Sequence, residues 1–108
     1  LALNLKAGEG VALLRRLVAT ADVVLQNFRP GVAERLGIAY EDLRAVRPDL
    51  VYLSSSGFGA SGPYAAGRAY DPVVQAVAGL ASMQQDEAGR PRMLRIIVPD
   101  KVTALTSA

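Results

Sequence analysis

The chain contains no cysteine and no histidine. The first absence excludes a disulfide framework and a cysteine nucleophile. The second removes imidazole as a general base, and together they remove the usual zinc ligands. An all-carboxylate metal site stays open in principle, but no cluster of acidic residues suggests one. Long apolar runs are also missing: none reaches the roughly 20 residues that span a bilayer. The first residues lack the basic, apolar and cleavage regions of a signal peptide. Charge of one sign is not concentrated anywhere; the net value is +2 with no basic block. That gives no case for nucleic-acid binding, while a mildly basic surface suits an anionic small molecule. The lack of cysteine fits a reducing compartment, so a cytoplasmic location is expected.

What is present is a globular composition. Of 108 residues, 51% are hydrophobic and 20% charged, which argues against disorder and allows one small core. There is no initiator Met, the opening run Leu1-Ala2-Leu3-Asn4-Leu5 alternates as a strand does, and Ala108 falls within a helical composition. The expectation is therefore a single partial domain over 1–108 with both flanks missing.

Periodicity predicts an α/β layered chain. Leu1–Leu5 reads as a strand broken by Gly8 and Gly10. Val11, Leu14, Leu17 and Val18 recur at helical spacing, with Arg15 and Arg16 on another face. Ala21–Leu25 reads as a buried strand, and a strand–helix–strand unit of this kind predicts parallel pairing. A short helix from Pro30 ends before Gly37, and another covers Tyr40–Val46. Leu50–Ser54 is a third strand, followed by a loop over Ser55–Gly67. A helix is expected from Pro72 to Met83, a turn over Gln84–Pro91, a fourth strand or extended segment over Met93–Val98, and a helix from Lys101 onward.

Three constellations could carry chemistry. Gly57-Phe58-Gly59-Ala60-Ser61-Gly62 follows a strand and fits the glycine pattern of dinucleotide sites. No long helix opens after it and no acidic residue ends a second strand about 20 positions on, so a nicotinamide or flavin site is disfavoured. A glycine loop that lines a pocket remains open, with Gly57 and Gly59 as its candidates. Gln26-Asn27-Phe28-Arg29-Pro30-Gly31 lies at the C-terminal end of a strand, where open α/β sheets bind ligands. There Asn27 offers amide groups, Phe28 a flat face, and Arg29 and Arg35 charge for phosphate; a plain helix start explains the same residues. Asp71-Pro72 and Pro99-Asp100 are both N-cap signals, and capping is the default reading of each. A cap position still permits chemistry, because an aspartate nucleophile must be ionised and a helix N-terminus favours negative charge.

The longer strings add a resemblance. They are Ala21-Asp22-Val23-Val24-Leu25-Gln26-Asn27-Phe28-Arg29-Pro30-Gly31, Arg35-Leu36-Gly37, Leu50-Val51-Tyr52, Ser56-Gly57-Phe58-Gly59, Gly62-Pro63-Tyr64, Ala69-Tyr70-Asp71, Gln75-Ala76 and Asp100-Lys101-Val102-Thr103-Ala104-Leu105. In this order and spacing the chain resembles the class III (CaiB/BaiF-type) coenzyme A transferases over nearly its whole length. The resemblance implies part of a Rossmann-like parallel-sheet large domain and transfer of coenzyme A from an acyl thioester to a carboxylate. It implies Asp100 as the nucleophile, through a mixed anhydride and an aspartyl thioester. It implies coenzyme A contacts at Asn27, Phe28, Arg35 and Arg68, and places near the acyl group for Tyr70 and Asp71. Acyl-CoA and a carboxylic acid are the implied partners, with no prosthetic group, and an interlocked homodimer is implied for the complete protein.

Three alternatives stand beside it. Acyl-CoA racemases of the same family use a His/Asp pair, and Tyr70 stands where that His would be. Tyrosine, with an ordinary pKa near 10, is a poor base at neutral pH. A truncated coenzyme A-binding piece without catalysis is the second, and the isolated 108 residues are expected to be inactive. The nicotinamide oxidoreductase is the third.

Overall fold

Val11, Leu14 and Val18 do share one face of a helix, α1 (Gly8–Val18), in the computed structural model, which describes all residues 1–108. The following elements are β1 (Val23–Gln26), α2 (Val32–Leu36), α3 (Tyr40–Arg44), β2 (Val51–Ser54), α4 (Asp71–Val77), α5 (Leu80–Met83) and α6 (Val98–Ser107). They divide into two units, Leu1–Ala66 and Gly67–Ala108. No helix is long and apolar enough to cross a membrane.

In the first unit β1 and β2 pair in parallel, Val23 opposite Val51 and Gln26 opposite Ser54. The helices between them make the crossover that parallel pairing requires. Val18, Ala33, Ile38, Leu43 and Leu50 form the core, and Val24 and Tyr52 pack on it from the sheet. Val18 and Leu43 are each only 1% exposed, so each contributes about 1.5–3 kcal/mol through burial. The Tyr52 hydroxyl donates to the Ile38 carbonyl, and burial raises the phenol's pKa. Asp42 reaches back to accept the Ala39 N–H at 3.0 Å and fixes the start of α3. The expected buried character of the first strand holds on one face only. Val23, Leu25 and Val51 are more than half exposed, because only the opposite face of this pair meets the helices.

Leu1–Leu5 is not a strand. The Asn4 carbonyl accepts the Ala7 N–H at 3.1 Å and the Asn4 side chain accepts the Lys6 N–H, so Asn4 curls the chain into a turn. Helix α1 then begins at Gly8, with Gly10 inside its first turn rather than breaking a strand. Similarly, α2 begins at Val32, after Gly31 at φ 81°, and Pro30 stays outside it.

In the second unit the helix expected over Pro72–Met83 is two. Gly79 stands at φ 78°, a left-handed backbone, and separates α4 from α5. The turn over Gln84–Pro91 is present. Asp86 accepts the N–H groups of Ala88 and Arg90 and the Arg90 guanidinium, and the Arg90 backbone contact is the chief cause of its lowered pKa. Of the expected segment Met93–Val98, residues 93–97 are extended or bent and form no strand, and Val98 is already helical. The polar backbone of the extended part is satisfied by a side chain instead of a neighbouring strand: Leu94 N–H donates to Gln75 Oε1 at 2.8 Å, and the Ile96 carbonyl accepts from Gln75 Nε2 at 3.3 Å. Helix α6 starts at Val98, three residues earlier than expected.

Candidate functional site

The first unit gathers its candidates at the C-terminal ends of the two strands. Gln26 ties these ends together. Its Nε2 donates to Ser54 Oγ at 2.6 Å, its carbonyl accepts the Ser55 N–H at 2.9 Å, and its Oε1 accepts the Phe28 N–H at 2.7 Å. The backbone at Phe28 is thereby set, while Asn27 and the Phe28 ring remain open to solvent. The loop after β2 is irregular, as expected. Gly59 (φ 81°) needs a left-handed backbone, Gly57 does not, and Phe58 lies against Tyr64 with ring centroids 5.6 Å apart.

Arg35 belongs to a wall that Asn27 and Phe28 do not line. It lines a cavity of about 600 Å³ bounded by Leu5 to Gly8, Val11, Ala12, Arg15 and Leu36. Three cations, Lys6, Arg15 and Arg35, and no carboxylate stand in this wall. Arg15 also donates to the Gly37 carbonyl at 3.2 Å, which holds its guanidinium near α2. The N-terminus of the 11-residue α1 opens here at Gly8. Cations and free helix N–H groups together favour an anion such as phosphate. Lys6 and Arg15 are not among the candidates that the sequence offers, Arg15 being placed only on the helix face away from Val11 and Leu14. The turn at Asn4 that brings Lys6 into the wall depends on contacts that periodicity does not report.

In the second unit Asp71, Gln75 and Asp100 come together. Asp71 is the first residue of α4, with Tyr70 as its N-cap and Pro72 second. Asp100 is the third residue of α6, whose N-cap is Ile97. Neither aspartate therefore caps its own helix. The Asp71 carboxylate instead accepts the Asp100 N–H from Oδ2 at 3.3 Å, so it caps α6 across space. Its other oxygen accepts from Gln75 Nε2 at 2.5 Å. Asp71 is 9% exposed and Gln75 2%, and neither leaves a buried polar atom unpaired. The Asp100 carboxylate is exposed. Arg68 and Tyr70 precede α4 with exposed side chains and take no part in this network. The outcome is an open carboxylate on a backbone held by a buried one.

Comparison with known proteins gives the family. The chain matches CoA-transferase family III along residues 1–108. It belongs to that family. Family III relatives include the succinate–glutarate CoA-transferase of Agrobacterium fabrum, 43% identical over 104 residues, covering 96% of this chain and 26% of the relative. The acetyl-CoA:oxalate CoA-transferase of Acetobacter aceti is 51% identical over 78 residues, 72% of this chain and 20% of the relative. Among solved family III structures, a CaiB/BaiF family protein from Brucella suis is 38% identical and superposes with a TM-score of 0.91, over 97% of this chain and 28% of that one. The chain thus spans about a quarter of the length of such family III relatives. The α/β fold with its parallel pair is the family's own.

Proposed function

We propose that the protein carrying these residues transfers coenzyme A from an acyl thioester to an acceptor carboxylate, with Asp100 as nucleophile. The observation that carries the reading is the pairing of an exposed Asp100 carboxylate with the buried Asp71 that holds its backbone.

The chemistry needs no general base. The Asp100 carboxylate attacks the thioester carbonyl, the C–S bond breaks, and coenzyme A leaves as a thiolate, which is a good leaving group. The thiolate attacks Cγ of Asp100 in the resulting anhydride. The donor acid leaves with one oxygen that began on Asp100, and an aspartyl thioester remains. The acceptor carboxylate then attacks Cγ and expels the thiolate. Attack of the thiolate on the acceptor's acyl carbon breaks the anhydride and returns Asp100 as a carboxylate. Charge balances at each step without proton transfer, consistent with a chain free of histidine.

The substrates we assign are small dicarboxylic acids and their thioesters, in keeping with relatives named for succinate, glutarate and oxalate. In the first unit the cations around the cavity, Arg35 foremost, suit the phosphates of coenzyme A, and Asn27 and Phe28 its adenine end. In the second, Arg68 is assigned to the cofactor and Tyr70 and Asp71 to the surroundings of the acyl group; Gly57 and Gly59, in the first unit, belong to a pocket-lining loop. A homodimer belongs to the same proposal and rests on the family resemblance; a cytoplasmic location is proposed with it on the lack of cysteine.

The experiment is to incubate the complete protein with succinyl-, glutaryl-, oxalyl- and acetyl-CoA and examine the peptides by mass spectrometry. A coenzyme A adduct on the peptide bearing Asp100, formed with a dicarboxylyl thioester, is expected. An adduct on another residue would contradict the assignment of Asp100, and reaction with acetyl-CoA alone would contradict the substrate class.

A further inference from the structure

Gln75 has one neutral side chain and three hydrogen-bonding partners to reconcile. Its oxygen accepts the Leu94 N–H, and its nitrogen donates to Asp71 Oδ1 and to the Ile96 carbonyl. Asp71 in turn accepts the Asp100 N–H through Oδ2. The amide orientation follows from these partners: its oxygen must meet the N–H of Leu94, and its nitrogen must meet two acceptors. At 2% exposure, water cannot substitute for any of them. Gln75 therefore joins the middle of α4, the extended segment before α6 and the first turn of α6. No regular backbone ladder holds residues 94–97, so this side chain carries the positioning that a strand would otherwise provide.

Building on the proposed aspartyl chemistry, we infer that Gln75 is a positioning residue for the reaction, acting through Asp71 to set the place of Asp100. Its amide fixes one carboxylate oxygen of Asp71, which leaves the other aimed at the Asp100 N–H. It also holds the segment that delivers the chain into α6. An error of about 1 Å in a reacting group costs on the order of 100-fold in rate, so a defect in this relay falls on the chemical step and spares coenzyme A binding.

The test uses Gln75→Glu, Asp71→Asn and the double variant in the complete protein. Gln75→Glu keeps the size and the acceptor for Leu94 but places a carboxylate against Asp71. The double variant restores the donor–acceptor match with residue 71 and leaves the Ile96 carbonyl without its donor, so recovery is partial. The amide introduced at position 71 donates to the carboxylate introduced at position 75, which reverses the polarity of the original contact. The amide oxygen at position 71 can still accept the Asp100 N–H. With succinyl-CoA as probe, the rate of adduct formation on Asp100 is expected to fall about 100-fold in Gln75→Glu and to recover to within about 10-fold of the unaltered protein in the double variant. The dissociation constant for coenzyme A is expected to stay within about threefold in all three. An unchanged adduct rate in Gln75→Glu overturns the inference. So does a parallel loss of coenzyme A affinity, or a double variant no better than the single, because either outcome describes general structural damage. If the unaltered protein forms no adduct on Asp100, the aspartyl mechanism fails and the inference with it; an adduct in the unaltered protein that the variants do not disturb removes the inference alone.

Discussion

Replacing Asp100 by Asn in the complete protein is expected to lower coenzyme A transfer by on the order of 1,000-fold or more, with coenzyme A affinity almost unchanged. Asn matches Asp in shape, and the contact that holds this position uses the backbone N–H of residue 100, not its side chain. The cap from Asp71 therefore survives the substitution. What is lost is the carboxylate oxygen proposed to attack the thioester, and an amide cannot replace it. Steady-state rates together with a separate binding measurement distinguish this from unfolding. A variant that retains a tenth of the parent rate would assign the covalent step to another group.

The second large effect concerns the turn that builds the anion-lined cavity. Glycine inside a helix ordinarily costs about 0.5–1 kcal/mol relative to alanine, so Gly→Ala in α1 should stabilise. At Gly8 a Cβ meets nothing within 4 Å, and the rule applies. At Gly10 a Cβ would overlap the backbone carbonyl of Asn4, which cannot rotate away because it accepts the Ala7 N–H. Gly10→Ala is therefore expected to destabilise by about 1–3 kcal/mol, opposite in sign to Gly8→Ala. The two substitutions, made separately in the complete protein and compared by thermal unfolding, should move the midpoint in opposite directions. Midpoints that both rise would show that the turn at Asn4 does not press on α1. Because Lys6, Ala7 and Gly8 line the cavity, Gly10→Ala is also the backbone change that deforms its wall.

Local patterns in the sequence carry the elements whose partners are close in the chain. The 3.6-residue repeat of Val11, Leu14 and Val18 marks α1, and the apolar runs at Ala21–Leu25 and Leu50–Ser54 mark β1 and β2, but the parallel partner expected for the first of these is Leu1–Leu5, and the observed one is β2. The same patterns mislead where a distant side chain supplies what a neighbouring strand would. Met93 to Val98 reads as a strand or extended segment, yet the backbone at Leu94 and Ile96 is held by Gln75, 19 residues before Leu94. Asn4 interrupts an alternating run in the same way through bonds to Lys6 and Ala7.

The aspartates show the same limit in finer detail. Asp-Pro and Pro-Asp pairs are sound signals for capping, and capping does occur here. Sequence spacing could not say that Asp71 would cap α6 while Asp100 would sit within its first turn, because that depends on α4 and α6 packing together. The resemblance implies a role for Asp100 without describing how its backbone is held. Lys6 and Arg15 were hidden for a related reason: each looks like an ordinary exposed cation until the turn and α2 bring them beside Arg35.

The most direct measurement follows an oxygen atom. In the proposed mechanism each full cycle leaves Asp100 with one oxygen taken from the acceptor, because the final thiolate attack cuts the anhydride on the acceptor's side. Turnover of the complete protein with a dicarboxylyl-CoA and an acceptor acid labelled with oxygen-18, followed by digestion and mass spectrometry, should find heavy oxygen in the side chain of Asp100. Heavy oxygen absent from Asp100 after many turnovers, with coenzyme A nonetheless moved to the acceptor, would mean that transfer bypasses this carboxylate.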